Sequence, residues 1–230
     1  MAECQLCDKD GYIHELRKVE GYNYPLEFVK VCSCGKNARL KFNSKINRLG
    51  LGNNFKNKTF ANFETFTEEL KEKKQKCIEY ATNYNKMQFE KKNSIYISGN
   101  VGAGKTHLAT AISNRLLQQG IDVEYFEYRE RITKIKQVLT DNKEYNNLTK
   151  CKEIKVLFID DLFKGKISES DINIMYEIIN YRYQMNLATI ITSEKSLIDV
   201  LKIDSAIGSR IAEMCCKTLT IKAENYRLKN

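Results

Sequence analysis

Short apolar runs alternate with helically spaced apolar residues through most of the chain beyond residue 90. The runs are "SIYIS", "DVEYFEY", "KVLFID", "ATIIT" and "TLTIK", and helical patterns separate them. Strands that are buried on both faces have such nearly continuous apolar sequences, and intervening helices connect parallel strands. The pattern therefore predicts an α/β fold with a five-stranded parallel sheet and helices on both faces.

The pattern before residue 90 predicts two further helices and a separate N-terminal module. Apolar residues at 38, 42, 46 and 49 have helical spacing up to Gly50, a residue type that commonly ends helices. After a loop, Thr65 and Glu68 are spaced as the capping box of the next helix. Residues 1–34 contain too little apolar material to fold without a cross-link. We therefore expect a small module with a basic linker at residues 1–50 and a main domain at residues 51–230.

The composition indicates a globular protein with a surplus of positive charge. Hydrophobic residues make up 42% of the 230 positions, and no apolar run approaches the roughly 18 residues of a membrane span. The N-terminus lacks a secretory signal pattern, so we expect a cytoplasmic protein with no membrane partner. The formal net charge is +9, and seven cationic residues occur without an acidic one between Gly35 and Phe63. A polyanion-binding surface and a solvated linker both fit that segment.

A glycine-rich segment carries the strongest functional signal. The sequence "GNVGAGKT" matches the pattern G-x-x-x-x-G-K-[ST] between a predicted strand and a predicted helix. Its backbone N–H groups and the helix dipole would face phosphate oxygens. We expect Lys105 to bind the β- and γ-phosphates of ATP and Thr106 to bind Mg²⁺. The predicted nucleotide-binding residues of this segment are Gly99, Asn100, Val101, Gly102, Ala103, Gly104, Lys105, Thr106 and His107.

Two adjacent aspartates end the predicted buried strand "KVLFID". Carboxylates beside an apolar core are costly unless they face a cleft and a cation. Asp160 is the predicted Mg²⁺ ligand, and Asp161 is the candidate base that polarises an attacking water. A helix cap or a surface acid is the alternative for Asp161.

Two more positions complete the predicted site. Thr192 and Ser193 end the strand "ATIIT", where hydrolytic ATPases place a polar residue near the γ-phosphate. Both are candidate sensors of that phosphate, and Ser193 is the predicted nucleotide contact. Arg210 lies on an amphipathic helical pattern and could reach the nucleotide of a neighbouring subunit as an arginine finger. Ordinary strand-end polarity and an exposed helix arginine are the respective alternatives.

Four of the eight cysteines form two close pairs near the N-terminus, Cys4 with Cys7 and Cys32 with Cys34. Four thiolates can hold one tetrahedral Zn²⁺, which would supply the cross-link that residues 1–34 need. Free thiols are the alternative, and His14 could replace one ligand. The other four cysteines occur in helical or strand patterns and are expected to be small buried residues.

Eight pieces of the chain, taken in order and spacing, resemble one family of ATPases. They are "CQLCDKDGYI", "CSCG", "NKTFANFE", "GNVGAGKTHLA", "LFIDDL", "IINYRYQMNLATIITSE", "IGSRIAEM" and "ENYRL". Together they resemble the DnaC and DnaI type of replicative-helicase loader, in its phage or low-GC bacterial form with a Cys-rich N-terminus. The pieces "GKTHLA", "IDDL" and the "SR" helix also resemble the IstB transposition helpers.

The resemblance implies an AAA+ ATPase of the P-loop (ASCE) class that loads a hexameric DnaB-type helicase onto single-stranded DNA during replication initiation. It implies a homo-oligomer on the helicase or on DNA, with Asp160 and Asp161 as Walker B acids, Arg210 acting in trans and Arg227 as a sensor-like arginine. Glu194 departs from the family, which has asparagine there. Only eight residues follow "TLTIK", so we expect little or no helical lid and slow hydrolysis.

Two other functions stay open at this point. One is a transposition ATPase that coats duplex DNA, which the zinc-like module disfavours, and the other is a small-molecule P-loop kinase, for which no Arg-rich lid is evident. Under the loader hypothesis, the zinc module binds the helicase and the ATPase core contacts single-stranded DNA. The candidate track for the DNA backbone is a group of four cations, with a solvated helix face as the alternative. They are Arg129, Arg131, Lys134 and Lys136.

Overall fold

The structure, a computed structural model, describes residues 4, 6–7, 11–34, 44, 53–141, 145–223 and 225–226. The chain divides into two compact units, Met1–Gly52 and Asn53–Asn230. The predicted helix ending at Gly50 and five of the seven cations of the basic segment lie outside the described residues. Within the described ranges, every helix is too short or too polar to cross a lipid bilayer.

The described part of the first unit is a β-hairpin that the apolar pattern did not predict. Strands β1 (Tyr12–Arg17) and β2 (Leu26–Val31) are antiparallel, with Tyr12 opposite Val31. On one face, Glu15 forms ion pairs with Arg17 of its own strand and with Lys30 of β2. Because so many of its positions are charged and exposed, the hairpin lacks the apolar alternation that marks a half-buried strand.

The second unit contains the predicted parallel sheet. Its strands are β3 (Ser94–Gly99), β4 (Val123–Glu127), β5 (Val156–Asp160), β6 (Ala188–Ser193) and β7 (Cys215–Ile221). Its described helices are α1 (Asn53–Lys56), α2 (Glu68–Met87), α3 (Lys105–Gln118), α4 (Tyr128–Asp141), α5 (Tyr145–Glu153), α6 (Glu169–Gln184), α7 (Leu197–Ile203) and α8 (Ser205–Met214). The sheet order is β4-β5-β6-β3-β7, and every neighbouring pair is parallel. The predicted fold class is confirmed.

Both faces of the sheet are buried, which explains the nearly continuous apolar strands. In β5, Leu157 and Ile159 belong to the core cluster that includes residues of α6 and α8, such as Ile178 and Ile211. Phe158 lies between them in sequence and is also fully buried, since successive side chains of a strand point to opposite faces. Helices α2 and α3 contact each other, and α3 also packs on β3 to β6.

The helix starts show how well local capping patterns could be predicted. Helix α6 begins after Ser168, and the side chains of Ser168 and Asp171 form a reciprocal capping box. The prediction that Thr65 caps α2 is wrong, because Thr67 is the N-cap and its side chain accepts the Leu70 N–H. Thr67 has the extended backbone of an N-cap residue, so the helix starts two residues later than the Thr65 spacing indicated.

A fully buried arginine anchors the segment that leads into β5. The Arg182 side chain is 0% exposed and has no carboxylate partner among the described residues. It instead donates hydrogen bonds to Thr189 Oγ1 and to the carbonyl oxygens of Cys151, Lys152, Ile154, Lys155 and Ala188. Burial lowers its pKa to about 9. Arg182 therefore links β6 to the end of α5 and to the residues just before β5.

Candidate functional site

The glycine-rich segment forms a tight turn between β3 and α3. Gly104 is the N-cap of α3 at φ +91°, and a Cβ built on it would lie 2.6 Å from Cε2 of Phe63. Gly99, at φ +147°, would place a Cβ 2.1 Å from the Ile221 carbonyl oxygen of β7. Only glycine fits such positions without a shift of the neighbouring chain. The turn therefore brings backbone N–H groups and the positive end of the α3 dipole to one place, an arrangement that binds anions.

Lys105 and Thr106 open α3 directly behind this turn. Lys105 Nζ donates to the carbonyl oxygens of Gly99 and Asn100, at 2.9 and 2.8 Å. The ammonium has no carboxylate partner in the described site, and burial lowers its pKa. The Thr106 hydroxyl donates to Asp160 Oδ1 at 2.9 Å. Both side chains line the same cavity as the P-loop backbone.

Asp160 is buried at the end of β5 and accepts hydrogen bonds from three hydroxyl groups. The donors are Thr106, Thr192 at 2.5 Å, and Tyr125, whose Oη lies 2.9 Å from Oδ2. Burial and the neighbouring carboxylate raise the pKa of Tyr125, so this phenol keeps its proton and donates. A carboxylate beside a threonine hydroxyl is an oxygen donor set that suits Mg²⁺. The residues present therefore fit the ion that the P-loop chemistry requires.

Asp161 follows in a turn with unusual backbone geometry. Its φ is +57°, and its N–H donates to the Thr192 hydroxyl at 2.9 Å. Its carboxylate accepts a hydrogen bond from Lys164 Nζ at 2.6 Å, and the same ammonium lies 3.6 Å from Glu194 Oε1. Asp161 lines the cavity, whereas Asp160 contacts it through Thr106. The two aspartates thus occupy different environments.

The structure does not bring the Ser193 hydroxyl into the described cavity wall. Ser193 is buried, donates to the Leu162 carbonyl at 2.7 Å and accepts the Lys195 N–H at 3.0 Å. The cavity is lined instead by Glu194, the next residue. Thr192, the other sensor candidate, contacts both aspartates through its hydroxyl.

A cavity of about 690 Å³ extends from the P-loop to a group of aromatic side chains. Of the nine predicted P-loop residues, those from Val101 to His107 line it. Phe63, Phe66 and Tyr226 also line it, and the rings of Phe66 and Tyr226 stack with centroids 5.8 Å apart. The Tyr226 N–H donates to the Gly102 carbonyl at 3.2 Å. The cavity therefore combines P-loop backbone groups with aromatic side chains, and both kinds of group can contact a nucleotide.

The segment from residue 53 to 63 packs against the P-loop helix. His107 Nε2 lies 2.9 Å from the Thr59 carbonyl, which fixes this nitrogen as the N–H donor. Burial lowers the pKa of His107, so the ring is neutral at pH 7. Two turns further along α3, Asn114 Nδ2 donates to the carbonyls of Phe55 and Lys58, each at 2.9 Å. The role of His107 in this geometry is to hold the segment against α3.

Arg210 lies elsewhere on the second unit. It donates to Asn180 Oδ1 and to the Ala206 carbonyl, both at 2.9 Å, and its guanidinium lies over the rings of Tyr176 and Tyr183. It is not among the residues that line the described cavity. Arg227, the sensor-like arginine that the resemblance implies, lies outside the described residues.

The four N-terminal cysteines come together at the open end of the hairpin. Their Sγ atoms all lie within 4.8 Å of one another, with Cys4 to Cys32 at 3.8 Å and Cys7 to Cys34 at 3.5 Å. Tetrahedral zinc with Zn–S bonds of about 2.3 Å separates its sulfurs by about 3.8 Å. The four thiols perturb one another: a backbone hydrogen bond at Leu6 lowers the pKa of Cys4 to about 7, whereas burial and the neighbouring thiols raise the pKa of Cys7. His14 Nδ1 instead contacts Glu27, at 2.8 Å.

The candidate DNA track of four cations is largely neutralised by neighbouring groups. Arg131 forms an ion pair with the buried Glu124, Lys134 with Glu130 on the same helix, and Lys136 with Asp171. The fourth member, Arg129, donates to the Lys166 carbonyl at 3.0 Å. Because acidic side chains of the same chain pair with three of these four cations, this face offers less free positive charge than its sequence indicated.

Several cavity and metal-site residues were not predicted from the sequence, among them Tyr125, Lys164, Phe66 and Tyr226. Tyr125 and Lys164 carry no motif, and their contacts with Asp160 and Asp161 depend on the fold. Phe66 and Tyr226 lie 160 residues apart in sequence and meet only in the folded chain. The pieces "NKTFANFE" and "ENYRL", which flank or contain them, were the available signals.

Comparisons with known proteins identify the family that this sequence matches and several similar proteins. Residues 39–230 match the family described as "IstB-like ATP binding protein". The uncharacterized protein YqaM of Bacillus subtilis is 34% identical over 196 residues, 82% of this chain and 61% of YqaM. The phage-like element PBSX protein XkdC of the same organism is 32% identical over 240 residues, 99% of this chain and 85% of XkdC.

Two further relatives bear on function. The replicative helicase loader DnaC of Buchnera aphidicola is 26% identical over 84% of this chain and 79% of its own length. A putative ATP-binding protein of insertion sequence IS21 from Pseudomonas aeruginosa is also 26% identical, over 61% of this chain and 54% of its own length.

Solved structures agree with this assignment. The crystal structure of the DnaC helicase loader matches with a TM-score of 0.66 at 25% identity, covering 74% of this chain and all of that chain. The DnaI structure matches with a TM-score of 0.59 at 21% identity, covering 76% of this chain and 93% of that one. The fold is that of a P-loop AAA+ protein, as the sequence resemblance implied.

Proposed function

The chain belongs to the family of IstB-like ATP-binding proteins, and from this premise we propose that it is an ATPase that loads a replicative helicase onto single-stranded DNA. The observation that carries this proposal is the extent of the relationship to DnaC. The DnaC sequence aligns over 84% of this chain, against 61% for the IS21 protein, and the DnaC structure is matched over its whole length.

In this proposal the cavity holds ATP and Mg²⁺. The P-loop N–H groups and Lys105 bind the phosphates, and Thr106 and Asp160 hold the metal. Asp161 positions and deprotonates the attacking water, which is consistent with its place on the cavity wall. Asp161 lines the same cavity as Lys105 and Thr106, so the base would lie beside the terminal phosphate.

The N-terminal unit is the proposed contact with a hexameric DnaB-type helicase. One Zn²⁺ held by Cys4, Cys7, Cys32 and Cys34 would rigidify the hairpin, which exposes Leu16, Phe28, Val29 and Val31. Exposed apolar side chains on a rigid support are typical of protein-binding surfaces. The core would form homo-oligomers on the helicase or on single-stranded DNA in the cytoplasm.

The decisive experiment is co-purification of the protein with the replicative helicase of its host. The full-length protein should retain the helicase in a pull-down, and a variant lacking residues 1–52 should lose it while binding ATP normally. Single-stranded DNA should change the ATPase rate, and its affinity should fall steeply with salt because phosphate contacts release counterions. A variant without residues 1–52 that still retained the helicase would refute the proposal that the N-terminal unit binds it.

A transposition helper is the second candidate, and the IS21 relative supports it. Such a protein would bind duplex DNA in preference to single strands and would ignore the helicase. Electron microscopy of the ATP-bound protein with duplex DNA separates the two functions. Filaments on duplex DNA together with failure to bind the helicase would favour this second function.

A further inference from the structure

Lys164 occupies a backbone position that the fold fixes closely. It ends the turn after β5, in which Asp161 and Phe163 both have left-handed backbone conformations, at φ +57° and +58°. The Leu162 N–H donates to the Thr192 carbonyl at 2.8 Å, which connects the turn to β6. Within the turn, the Lys164 N–H donates to the Asp161 carbonyl at 3.1 Å. A phenylalanine in the left-handed region is rare, so the surrounding contacts hold this turn in place.

The side chain of Lys164 lies between two carboxylates on the cavity wall. Its Nζ is 2.6 Å from Asp161 Oδ2 and 3.6 Å from Glu194 Oε1, and all three residues line the same cavity as Lys105. The hydrogen bond that Lys164 donates to Asp161 raises the pKa of Lys164, so its charge persists through neutral pH. Lys105 donates its own hydrogen bonds to the carbonyl oxygens of Gly99 and Asn100. Among the described residues, Lys164 is therefore the cation that pairs directly with Asp161 and Glu194.

The charge balance between Lys164 and the two carboxylates matters most for the terminal phosphate of a nucleoside triphosphate. With the P-loop holding the inner phosphates, the terminal phosphate lies at the Lys105 and Thr106 end of the cavity, toward Asp161. Two uncompensated carboxylates there would repel its negative charge across a few ångströms of partly buried space. A diphosphate places no group at that position and would feel the carboxylates much less.

We propose that Lys164 is a specificity-determining residue that lets the cavity distinguish nucleoside triphosphate from diphosphate by neutralising Asp161 and Glu194 beside the terminal phosphate. This role rests on the proposed binding of ATP. Glu194 belongs to this arrangement, because its carboxylate adds negative charge that Lys164 balances.

The test compares the affinities of two nucleotides, a non-hydrolysable ATP analogue and ADP, by calorimetry with Mg²⁺ and the full-length protein. Lys164→Gln should weaken binding of the triphosphate analogue about tenfold and change ADP binding by less than about twofold. Lys166→Gln is the matched control, because Lys166 is exposed on the same loop and does not line the cavity. It should change neither affinity.

A charge-restoring variant separates electrostatics from structure. Adding Glu194→Gln to Lys164→Gln removes one of the two acids and should recover most of the lost triphosphate affinity. Equal losses for both nucleotides in Lys164→Gln, or an unchanged preference, would overturn the proposed role. A wild-type protein that bound neither nucleotide would overturn the proposed function itself, and this inference with it.

Discussion

At the scale of single residues, two neighbouring aspartates show how environment can assign different chemistry to the same side chain. Asp160 is buried and accepts hydrogen bonds from three hydroxyl groups, whereas Asp161 faces the cavity and forms an ion pair with Lys164. A carboxylate fixed on all sides suits a metal ligand. A carboxylate on the cavity wall, held by one exchangeable partner, suits a base that must meet a water molecule.

Replacing Asp161 with asparagine should therefore separate binding from hydrolysis. The amide keeps the size of the side chain but cannot accept a proton, so we expect the ATPase rate to fall about 10²-fold or more with Mg²⁺·ATP binding retained. Phosphate release and calorimetric titration measure the two quantities. Asp160→Asn is the contrasting variant and should lose Mg²⁺-dependent binding. Loss of nucleotide binding in Asp161→Asn would mean that the two roles are wrongly divided.

Arg182 illustrates a residue whose contribution is purely structural. Replacing it with methionine keeps much of the buried volume but leaves several buried carbonyl oxygens without donors. Because each unsatisfied buried acceptor costs about 1–3 kcal/mol, we expect the free energy of unfolding to fall by at least about 3 kcal/mol. Urea denaturation measures the loss. Arg115→Met, on the exposed face of α3, is the control and should have little effect.

At the scale of elements, the parts of the fold that local sequence determines were predictable. The five parallel strands and the P-loop follow from apolar runs and from a motif whose glycines permit a tight turn. Helix α5, residues 145–153, was not predicted, because its polar sequence "YNNLTKCKE" has little apolar periodicity. The hairpin was missed for the same reason. The position of Lys164 could not be predicted at all, because it depends on the left-handed turn and on the pairing of β5 with β6.

One connecting segment links several parts of the site. Between residues 53 and 63, Phe55 packs edge-on against Tyr125, whose hydroxyl binds Asp160, and Phe63 packs against His107 of the P-loop helix. A change in the segment's conformation would thus alter the surroundings of both the metal ligand and the P-loop helix.

The cysteine cluster makes a prediction about the hairpin as an element. The full-length protein should contain about one Zn²⁺ per chain, because four thiolates satisfy one tetrahedral ion. Cys7→Ser should abolish the bound zinc and the hydrogen-exchange protection of β1 and β2, since the metal supplies most of their folding energy. Elemental analysis and hydrogen exchange are the measurements.

Nucleotide affinity provides the control for that experiment. It should stay unchanged in Cys7→Ser, because the cavity lies within the second unit. Cys216→Ser, which changes an exposed thiol outside the cluster, should keep both the zinc and the protected hairpin. Zinc retained by Cys7→Ser would contradict the four-cysteine site.

At the scale of the whole molecule, Arg210 lies away from the described cavity, although the resemblance to helicase loaders implies that it takes part in hydrolysis. Arg210 is held on the surface of α6 and α8 by Asn180 and by the rings of Tyr176 and Tyr183, and it does not line the cavity of its own chain. An arginine held in this way is pre-organised to present its guanidinium to another molecule. In an assembly it could complete the site of the next subunit.

Mixing two inactive variants tests this arrangement. Arg210→Ala should bind ATP normally yet hydrolyse it at least about tenfold more slowly, whereas Lys105→Ala should lose nucleotide turnover in its own cavity. In a mixture, an intact cavity of the Arg210→Ala chain can receive the intact arginine of a Lys105→Ala neighbour, so part of the activity should return. Arg115→Ala mixed in the same way serves as the control for a general effect of removing an exposed arginine. If the two variants are shown to assemble together and no activity returns, Arg210 does not act between subunits, and its contacts with Tyr176 and Tyr183 serve only to hold α8 against α6.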